Sequence, residues 1–197
     1  MTDNDDWILL QAGLENGRGL LAGARGFCGE QGWTLHRAAW ANDKGLAHVY
    51  ARAPAGAAAI ASTRADAFGR HCAGARDVKL SLLEPVFDVA GASPGEQPGF
   101  HYVVEMDPEA GWMSDISRWY DVEHMPGLAA VPGCIRAIRF LNHGHGPLSL
   151  ACYDLVTLDA FGSPPWLAVR GSAWSDVVRP HFTNTKRTMF EVPEEPS

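Results

Sequence analysis

The sequence lacks long apolar runs and a leader-like start. No stretch approaches the roughly eighteen apolar residues that a membrane-spanning helix needs. The first residues, MTDNDDW, are acidic and do not follow the basic-then-apolar order of a secretory signal. We therefore expect a cytoplasmic protein without a membrane partner.

Cysteine and basic residues are both in short supply. The cysteines form no CxxC pair, so neither a zinc ribbon nor a redox dithiol is indicated, and we expect small buried side chains. They lie far apart, at Cys28, Cys72, Cys134 and Cys152. The formal net charge is −7, and no Lys/Arg cluster offsets it. This balance argues against nucleic acid as a partner, because phosphate binding needs a concentrated basic surface.

Common cofactor and nucleophile motifs are also missing. There is no GxSxG, no Walker loop and no dinucleotide fingerprint, so acyl-enzyme, nucleotide-hydrolysing and Rossmann chemistry are unsupported. His143-Gly144-His145 has a metal-like spacing, but no third ligand is near it in the sequence, and a zinc site needs three or four ligands. We expect no metal and no cofactor.

The predicted order of strands and helices indicates the fold class. An apolar content of 46% is ordinary for a globular protein with a proper core. Each half shows the order βαββαβ, the ferredoxin-like unit, and the segment AGASPGEQPG at 90–99 is the best linker. The pattern predicts an α+β fold of two tandem ferredoxin-like units, 1–95 and 96–197, with their sheets face to face. In the first half, the predicted strands and helices lie at 7–12, 19–31, 33–40, 46–52, 54–70 and 78–89.

The stretch from Phe100 to Leu141 carries the most information. Residues 100–106 predict a strand, and Asp107-Pro108 predicts a helix start with proline at the first helical position. Pro126-Gly127 predicts the end of that helix, and a strand at 134–141 follows. In the rest of this half, strands are expected at 148–157 and 185–192. Between these two strands, a helical region begins at Ser163-Pro164.

Two polar ring side chains fall on the apolar face of the predicted helix. Trp112, Ile116, Tyr120 and His124 recur every four residues, with Trp119 beside them. Tyr120 and His124 are one turn apart, so they share the face that packs on the sheet. This placement makes them the leading candidate site residues.

These motifs resemble the dimeric α+β barrel superfamily, and within it the EthD-like (ethyl tert-butyl ether degradation) proteins. The resemblance covers roughly residues 100–192, and its carriers are Asp107-Pro108, Trp119-Tyr120-Asp121-x-x-His124-x-Pro126, Pro132-Gly133, Arg136-Ala137-Ile138-Arg139-Phe140 and Arg179-Pro180-His181-Phe182. It implies a pseudo-dimeric α+β barrel with a pocket between the helices and the sheet of one unit. The first half lacks the motif and resembles a degenerate copy that keeps the fold. Relatives include cofactor-free cyclases, lactone isomerases, quinone-forming monooxygenases and heme-dependent enzymes.

The candidate residues each have a structural alternative. His124 is proposed as general base or acid and Tyr120 as hydrogen-bond donor, although a histidine near a helix C-terminus also caps carbonyl groups. Asp121 either orients the His124 ring or is a surface carboxylate. His181, which the resemblance places at a catalytic position, is otherwise a loop histidine. His101 faces either the pocket or a sheet interface.

The remaining candidate residues are those expected to contact a ligand. Arg136 and Arg139 fall on opposite faces of their strand, and Arg139 is the candidate for ligand contact. Four tryptophans are either core residues or the floor of an apolar pocket, namely Trp112, Trp119, Trp166 and Trp174.

We expect an enzyme on a small aromatic or polyketide-like compound, which works without a cofactor by cyclisation, isomerisation, elimination or oxidation by O2. The alternatives are a non-catalytic ligand-binding or stress protein and, less favoured, a heme enzyme. The sequence leaves open whether the protein forms a homodimer.

Overall fold

The structure, a computed structural model, describes residues 5–57 and 65–193 of the chain. The strands are β1 (Asp6–Gly13), β2 (Thr34–Ala41), β3 (Leu46–Ala53), β4 (Arg76–Ala90), β5 (Phe100–Pro108), β6 (Cys134–Asn142), β7 (Ser149–Leu155) and β8 (Phe182–Glu191). The α-helices are α1 (Leu20–Gln31), α2 (Ala65–His71), α3 (Met113–Trp119), α4 (Met125–Ala129), α5 (Pro164–Arg170) and α6 (Ala173–Val178). A π-helical segment, Tyr120–His124, joins α3 to α4. Within the described ranges, no helix has the length and apolar character that crossing a membrane requires.

The two halves have the same strand order. Hydrogen-bonded neighbours run β4-β1-β3-β2 in the first half and β8-β5-β7-β6 in the second. Strand β1 pairs antiparallel with β3 and β4, and strand β7 pairs antiparallel with β5 and β6. Both orders are those of a βαββαβ unit, so the predicted α+β class with tandem ferredoxin-like units is confirmed.

The described residues divide into two compact units. One comprises those within Met1–Glu84, Asn142–His145 and Phe190–Ser197, and the other comprises Pro85–Leu141 and Gly146–Met189. The chain therefore leaves the first unit inside β4, before the 90–99 loop that the sequence suggested as the divide. That loop is tied to β6, since Gly91 N donates to Ile135 O at 2.8 Å and Ser93 N donates to Cys134 O at 2.9 Å.

The first unit packs α1 and α2 against its sheet. Leu20, Ala24 and Phe27 of α1 are buried with Phe68 of α2. Gly32 ends α1 at φ 69°, a left-handed conformation that glycine adopts without a Cβ penalty. The predicted helix at 54–70 is described only in part, because residues 58–64 lie outside the described residues. All four cysteines are buried free thiols, as expected.

The helix start predicted at Asp107-Pro108 is wrong. Both residues still belong to β5, and α3 begins at Met113. The Asp107 carboxylate instead accepts hydrogen bonds from Leu148 N and from Asn184 Nδ2, each at 2.7 Å. A short polar side chain can cap a neighbouring loop as readily as a helix, and only the fold decides which groups it meets.

The predicted helix end at Pro126-Gly127 is also wrong. Helix α4 contains both residues and ends at Ala129, with the proline in its first turn, where a missing N–H costs little. Gly127 meets α5 closely, because a Cβ there would lie 2.9 Å from Val169 Cγ1. This glycine permits close helix packing and does not end the helix.

Candidate functional site

A small cavity lies in the second unit, between its helices and its sheet. Its aromatic walls are Tyr102, Trp119, Tyr120, Tyr153, Trp166 and Phe182. The other lining residues are Val104, His124, Leu128, Arg170, Arg179 and Arg187. The space between the walls, open mouth included, is about 350 Å³, of which about 20 Å³ is wide enough for the centre of a water molecule. The cavity as it stands holds about one water, so a larger ligand must shift side chains.

The π-helical segment brings Tyr120 and His124 to this cavity. In a π-helix the hydrogen bonds span five residues, and Met125 N accordingly donates to Tyr120 O. The next residue, Pro126, has no backbone N–H to donate. The proline therefore interrupts the regular α-helical hydrogen bonds at the place where the wider turn lies. The rings of Tyr120 and His124 are 5.7 Å apart and nearly perpendicular. The two rings therefore lie side by side, as their spacing predicted, and both line the cavity together with Tyr102 and Tyr153 of the sheet.

Several polar atoms of the cavity walls have no hydrogen-bond partner in the described part of the chain. They are buried Nδ1 of His124 and the indole Nε1 atoms of Trp119 and Trp166. The hydroxyl groups of Tyr102 and Tyr120 also make no hydrogen bond to a described residue. By contrast, the Tyr153 hydroxyl donates to Met125 Sδ at 3.0 Å. Buried polar groups are normally satisfied, so this set is available to a ligand or to water.

The cavity keeps His124 uncharged. Burial first, and then the charges of Arg170 and Arg179, lower the pKa of His124 from its ordinary 6.5 to about 3. The ring is therefore a neutral imidazole at physiological pH, able to accept one hydrogen bond and to donate one. Without a ligand, His124 is a poor base, because an efficient general base has a pKa near the working pH.

The phenol groups are also held in their neutral form. Burial raises the pKa of Tyr120 well above 10, and Arg139 and Arg187 oppose the shift. Burial raises the pKa of Tyr102 as well, against the charges of Arg170, Arg187 and Arg179. A protonated phenol is a hydrogen-bond donor, which is what a developing oxyanion requires.

Asp121 contacts an arginine, not His124. Its Oδ1 accepts a hydrogen bond from Arg139 Nη2 at 2.9 Å. The Arg139 guanidinium in turn lies 5.3 Å from the centre of the Tyr120 ring. Arg139 is nearly fully buried, so Asp121 supplies the counter-charge for a cation that packs on Tyr120.

His181 and Trp112 lie together but do not line the cavity. Their rings are stacked, with centroids 3.3 Å apart and planes 9° from parallel. His181 Nδ1 donates to Glu109 Oε2 at 2.5 Å. Trp174 also lies outside the lining, under the guanidinium of Arg118 at 5.8 Å.

His101 lies on the opposite face of the sheet. It alternates with Tyr102, which faces the cavity, and its Nδ1 donates to the cross-strand neighbour Asp154 at 2.7 Å. Arg136 pairs with Asp88 across 2.5 Å. Neither residue lines the cavity.

His143, the first histidine of the metal-like spacing, contacts a carboxylate. His143 Nε2 lies 2.8 Å from Glu84 Oε2. Among residues 5–57 and 65–193 there is no group of three or more His, Cys, Asp or Glu side chains that could hold a metal ion.

Sequence reasoning did not identify the basic side of the cavity. Arg170 ends α5, Arg179 follows α6, and Arg187 lies in β8. No spacing in the sequence links these positions, because only the fold brings the three elements together. Tyr102 and Phe182 were also missed, because Tyr102 lies within the strand predicted at 100–106 and Phe182 lies before the strand predicted at 185–192.

No family model and no curated protein matches the chain, whereas solved structures do. A proposed monooxygenase from Lactobacillus acidophilus NCFM has a TM-score of 0.66 at 13% identity, with 96% of this chain and 94% of that chain covered. An anthrone oxidase-like protein has a TM-score of 0.62 at 12% identity, with coverage of 98% and 92%. A mutant chlorite dismutase from Candidatus Nitrospira defluvii, solved with cyanide, has a TM-score of 0.63 at 8% identity, with the same coverage of 98% and 92%.

Other matches include a ferredoxin-fold protein related to antibiotic biosynthesis monooxygenases and a heme-degrading enzyme, both from Listeria monocytogenes. At these identities the likeness concerns the fold alone. It supports an α+β fold of ferredoxin-like units and does not single out EthD-like proteins.

One of these neighbours is a heme-degrading enzyme, which raises the question of whether a heme fits this cavity. A porphyrin is far larger than the space for one water molecule that the cavity offers. Among the described lining residues His124 is the one histidine, and it is stacked on Trp119 with ring centroids 4.1 Å apart. A heme does not fit this arrangement.

Proposed function

We propose that the chain is a cofactor-independent enzyme that acts on a small aromatic or polyketide-like compound in the cavity of the second unit. The observation that carries the proposal is the set of unpartnered polar atoms within aromatic walls, above all the Tyr120 hydroxyl and His124 Nδ1. Apolar walls with a few convergent polar groups are typical of small-molecule sites. The EthD-like group remains the proposed family.

The proposed roles follow from the protonation states. Tyr120, a protonated phenol, donates a hydrogen bond to an oxygen of the substrate that gains negative charge. His124, a neutral imidazole, accepts a proton from the substrate. An anion formed beside it raises the basicity of His124, so the proton transfer becomes favourable only in the complex. Asp121 holds Arg139 against the Tyr120 ring and so positions the phenol.

Among the reaction classes that the sequence leaves open, oxidation by O2 is the one to test first. Cyclisation, isomerisation and elimination need the same proton transfer, but several structural neighbours are named for monooxygenases or an anthrone oxidase. Anthrone provides a defined assay. Loss of a proton from its CH2 group gives an enolate, which reacts with O2, so that one anthrone and one O2 yield one anthraquinone and one water.

The experiment measures O2 uptake and anthraquinone absorbance with purified protein. We expect turnover that falls by about 10²- to 10⁴-fold in His124→Gln, the usual contribution of a positioned proton acceptor. His71→Gln replaces a histidine of the first unit and serves as the matched control. Absence of turnover with anthrone, and with a panel of phenolic and polyketide-like compounds, would contradict the enzymatic proposal.

The two alternatives give different results in the same preparation. A ligand-binding or stress protein would bind an aromatic compound in the cavity without converting it. A heme enzyme would show a strong visible absorption band that disappears when His124 is replaced. We expect no such band.

A further inference from the structure

Three arginines from three separate elements meet at the cavity. Arg170 closes α5, Arg179 lies in the turn after α6, and Arg187 belongs to β8. All three line the cavity. None of the described lining residues is acidic, although the chain as a whole has a formal net charge of −7. The second unit therefore concentrates positive charge at one place in an acidic protein.

The three cations are close enough to act on one another and on the cavity walls. Burial, and then the charges of Arg170 and Arg187, lower the pKa of Arg179. Two of the same arginines act on His124, and all three act on the Tyr102 phenol. Arg179 donates a hydrogen bond to the carbonyl oxygen of Arg170, at 3.3 Å, and the charge of Asp176 opposes part of the shift of the Arg179 pKa. Three cationic side chains that line one cavity attract an anion to it.

Other arginines of this unit do not line the cavity. Arg139 is paired with Asp121 and Arg136 with Asp88. Arg118 is exposed and lies over Trp174, outside the cavity. Arg118 carries the same charge outside the cavity and is therefore a suitable control.

We propose that the cavity binds an aromatic compound as an oxygen anion, with the negative oxygen between Arg170, Arg179 and Arg187. The inference rests on the proposed function and deepens it, because it names the substrate class as a phenolate, an enolate or an aromatic carboxylate. Guanidinium groups recognise such oxygens by charge-assisted hydrogen bonds. The unpartnered hydroxyl groups of Tyr102 and Tyr120 are the neutral donors for the same oxygen.

Binding can be followed without turnover by using 4-nitrophenol, whose anion is coloured and whose neutral form is not. A site that prefers the anion converts bound nitrophenol to the coloured form at a pH below its ordinary titration. We expect the apparent pKa of bound nitrophenol to fall by at least about one unit, which corresponds to about tenfold tighter binding of the anion. The neutral ether 4-nitroanisole, of nearly the same shape, is the matched ligand control. Benzoate separates carboxylate from phenolate recognition.

Two variants and one control connect the charge to the site. Arg187→Gln changes an exposed residue that should not affect folding, and Arg179→Gln changes a half-buried one. Each should weaken binding of the nitrophenolate by about tenfold, the usual effect of one hydrogen bond to a charged group, and Arg179→Lys should restore part of it. Arg118→Gln removes the same charge outside the cavity and should leave affinity within about twofold of the parent.

The outcomes separate the anion site from the enzymatic proposal. If nitroanisole binds as tightly as the phenolate, or if Arg118→Gln weakens binding as much as Arg187→Gln does, the anion site is overturned. If the phenolate binds as expected but no substrate is converted, the anion site stands and the enzymatic proposal fails. If anthrone is oxidised equally well by the parent, Arg179→Gln and Arg187→Gln, the enzymatic proposal stands and the anion site fails.

Discussion

His124 is stacked on Trp119, with ring centroids 4.1 Å apart and planes 22° from parallel. The stack buries the imidazole, and Nδ1 of His124 has no hydrogen-bond partner among the described residues. A protonated ring would be a buried charge next to two arginines, and therefore costly. The neutral form of His124 is thus part of the folded structure.

This state predicts a dependence of stability on pH. The unfolded chain binds a proton at His124 near pH 6.5, whereas the folded chain binds it only near pH 3. Between these two pH values, unfolding takes up a proton. The free energy of unfolding is therefore highest above about pH 6.5 and decreases as the pH falls towards 3. The loss should be about 1.4 kcal/mol per pH unit, measurable by denaturant unfolding at a series of pH values. In His124→Phe, which keeps an aromatic ring on Trp119, that part of the slope should vanish. Equal slopes in the two proteins would contradict the neutral state.

The Tyr120 hydroxyl should matter for activity and little for folding. Tyr120→Phe keeps the ring under Arg139 and removes a hydroxyl group that makes no hydrogen bond to a described residue. The unfolding free energy should therefore change by less than about 0.5 kcal/mol. Turnover should fall by about 10²-fold, the usual effect of losing one donor to an oxyanion. A large loss of stability with unchanged turnover would assign the hydroxyl a structural role.

The contact between Asp121 and Arg139 should behave as a coupled pair. Asp121→Asn removes the counter-charge of a nearly buried guanidinium, and because Asp121 itself is partly exposed, the loss should be about 1 kcal/mol. In a background of Arg139→Met the same change should cost nothing. A double-mutant cycle of unfolding free energies measures the difference. Additive effects would show that the contact contributes nothing to stability.

Gly127 should be required by the close packing of α4 on α5. The added methyl group of Gly127→Ala would meet Val169 Cγ1 at 2.9 Å and Cγ2 at 3.0 Å. Overpacking should outweigh the better helix propensity of alanine and leave a net loss of about 1 kcal/mol. In Val169→Ala the methyl group has room, so Gly127→Ala should then stabilise the protein. Thermal unfolding of the four proteins decides this, and destabilisation in both backgrounds would point to a different cause.

His181 should not be needed for turnover. It lies outside the cavity, bonded to Glu109 and stacked on Trp112. We expect His181→Gln to keep its catalytic rate and to lose about 1 kcal/mol of stability or less. Steady-state rates at saturating substrate test this. A loss of rate comparable with that of His124→Gln would show that His181 takes part in catalysis.

The sequence predicted more of the fold than of the site. Element order and turn residues are local signals, so both βαββαβ units and the cap at Ser163, which accepts from Trp166 N, were found. Asp107 and Gly127 were misread because capping and helix-ending residues are also useful in loops and at helix contacts.

The site was predictable where one helix carries it. Tyr120 and His124 are four residues apart, and helical geometry alone places them side by side. The cavity arginines come from α5, the turn after α6, and β8, and their meeting depends on tertiary structure. Likewise, only the folded chain shows that Asp121 contacts Arg139 and not His124.

A crystal structure of the protein with bound 4-nitrophenol tests the central claim most directly. The account predicts one ligand per chain, in the second unit, with its ring in contact with Tyr120 and His124. Its oxygen should lie within about 3.2 Å of a guanidinium nitrogen or tyrosine hydroxyl of the cavity. Ligand density elsewhere on the protein with the cavity walls unchanged, or equal binding to both units, would contradict the account.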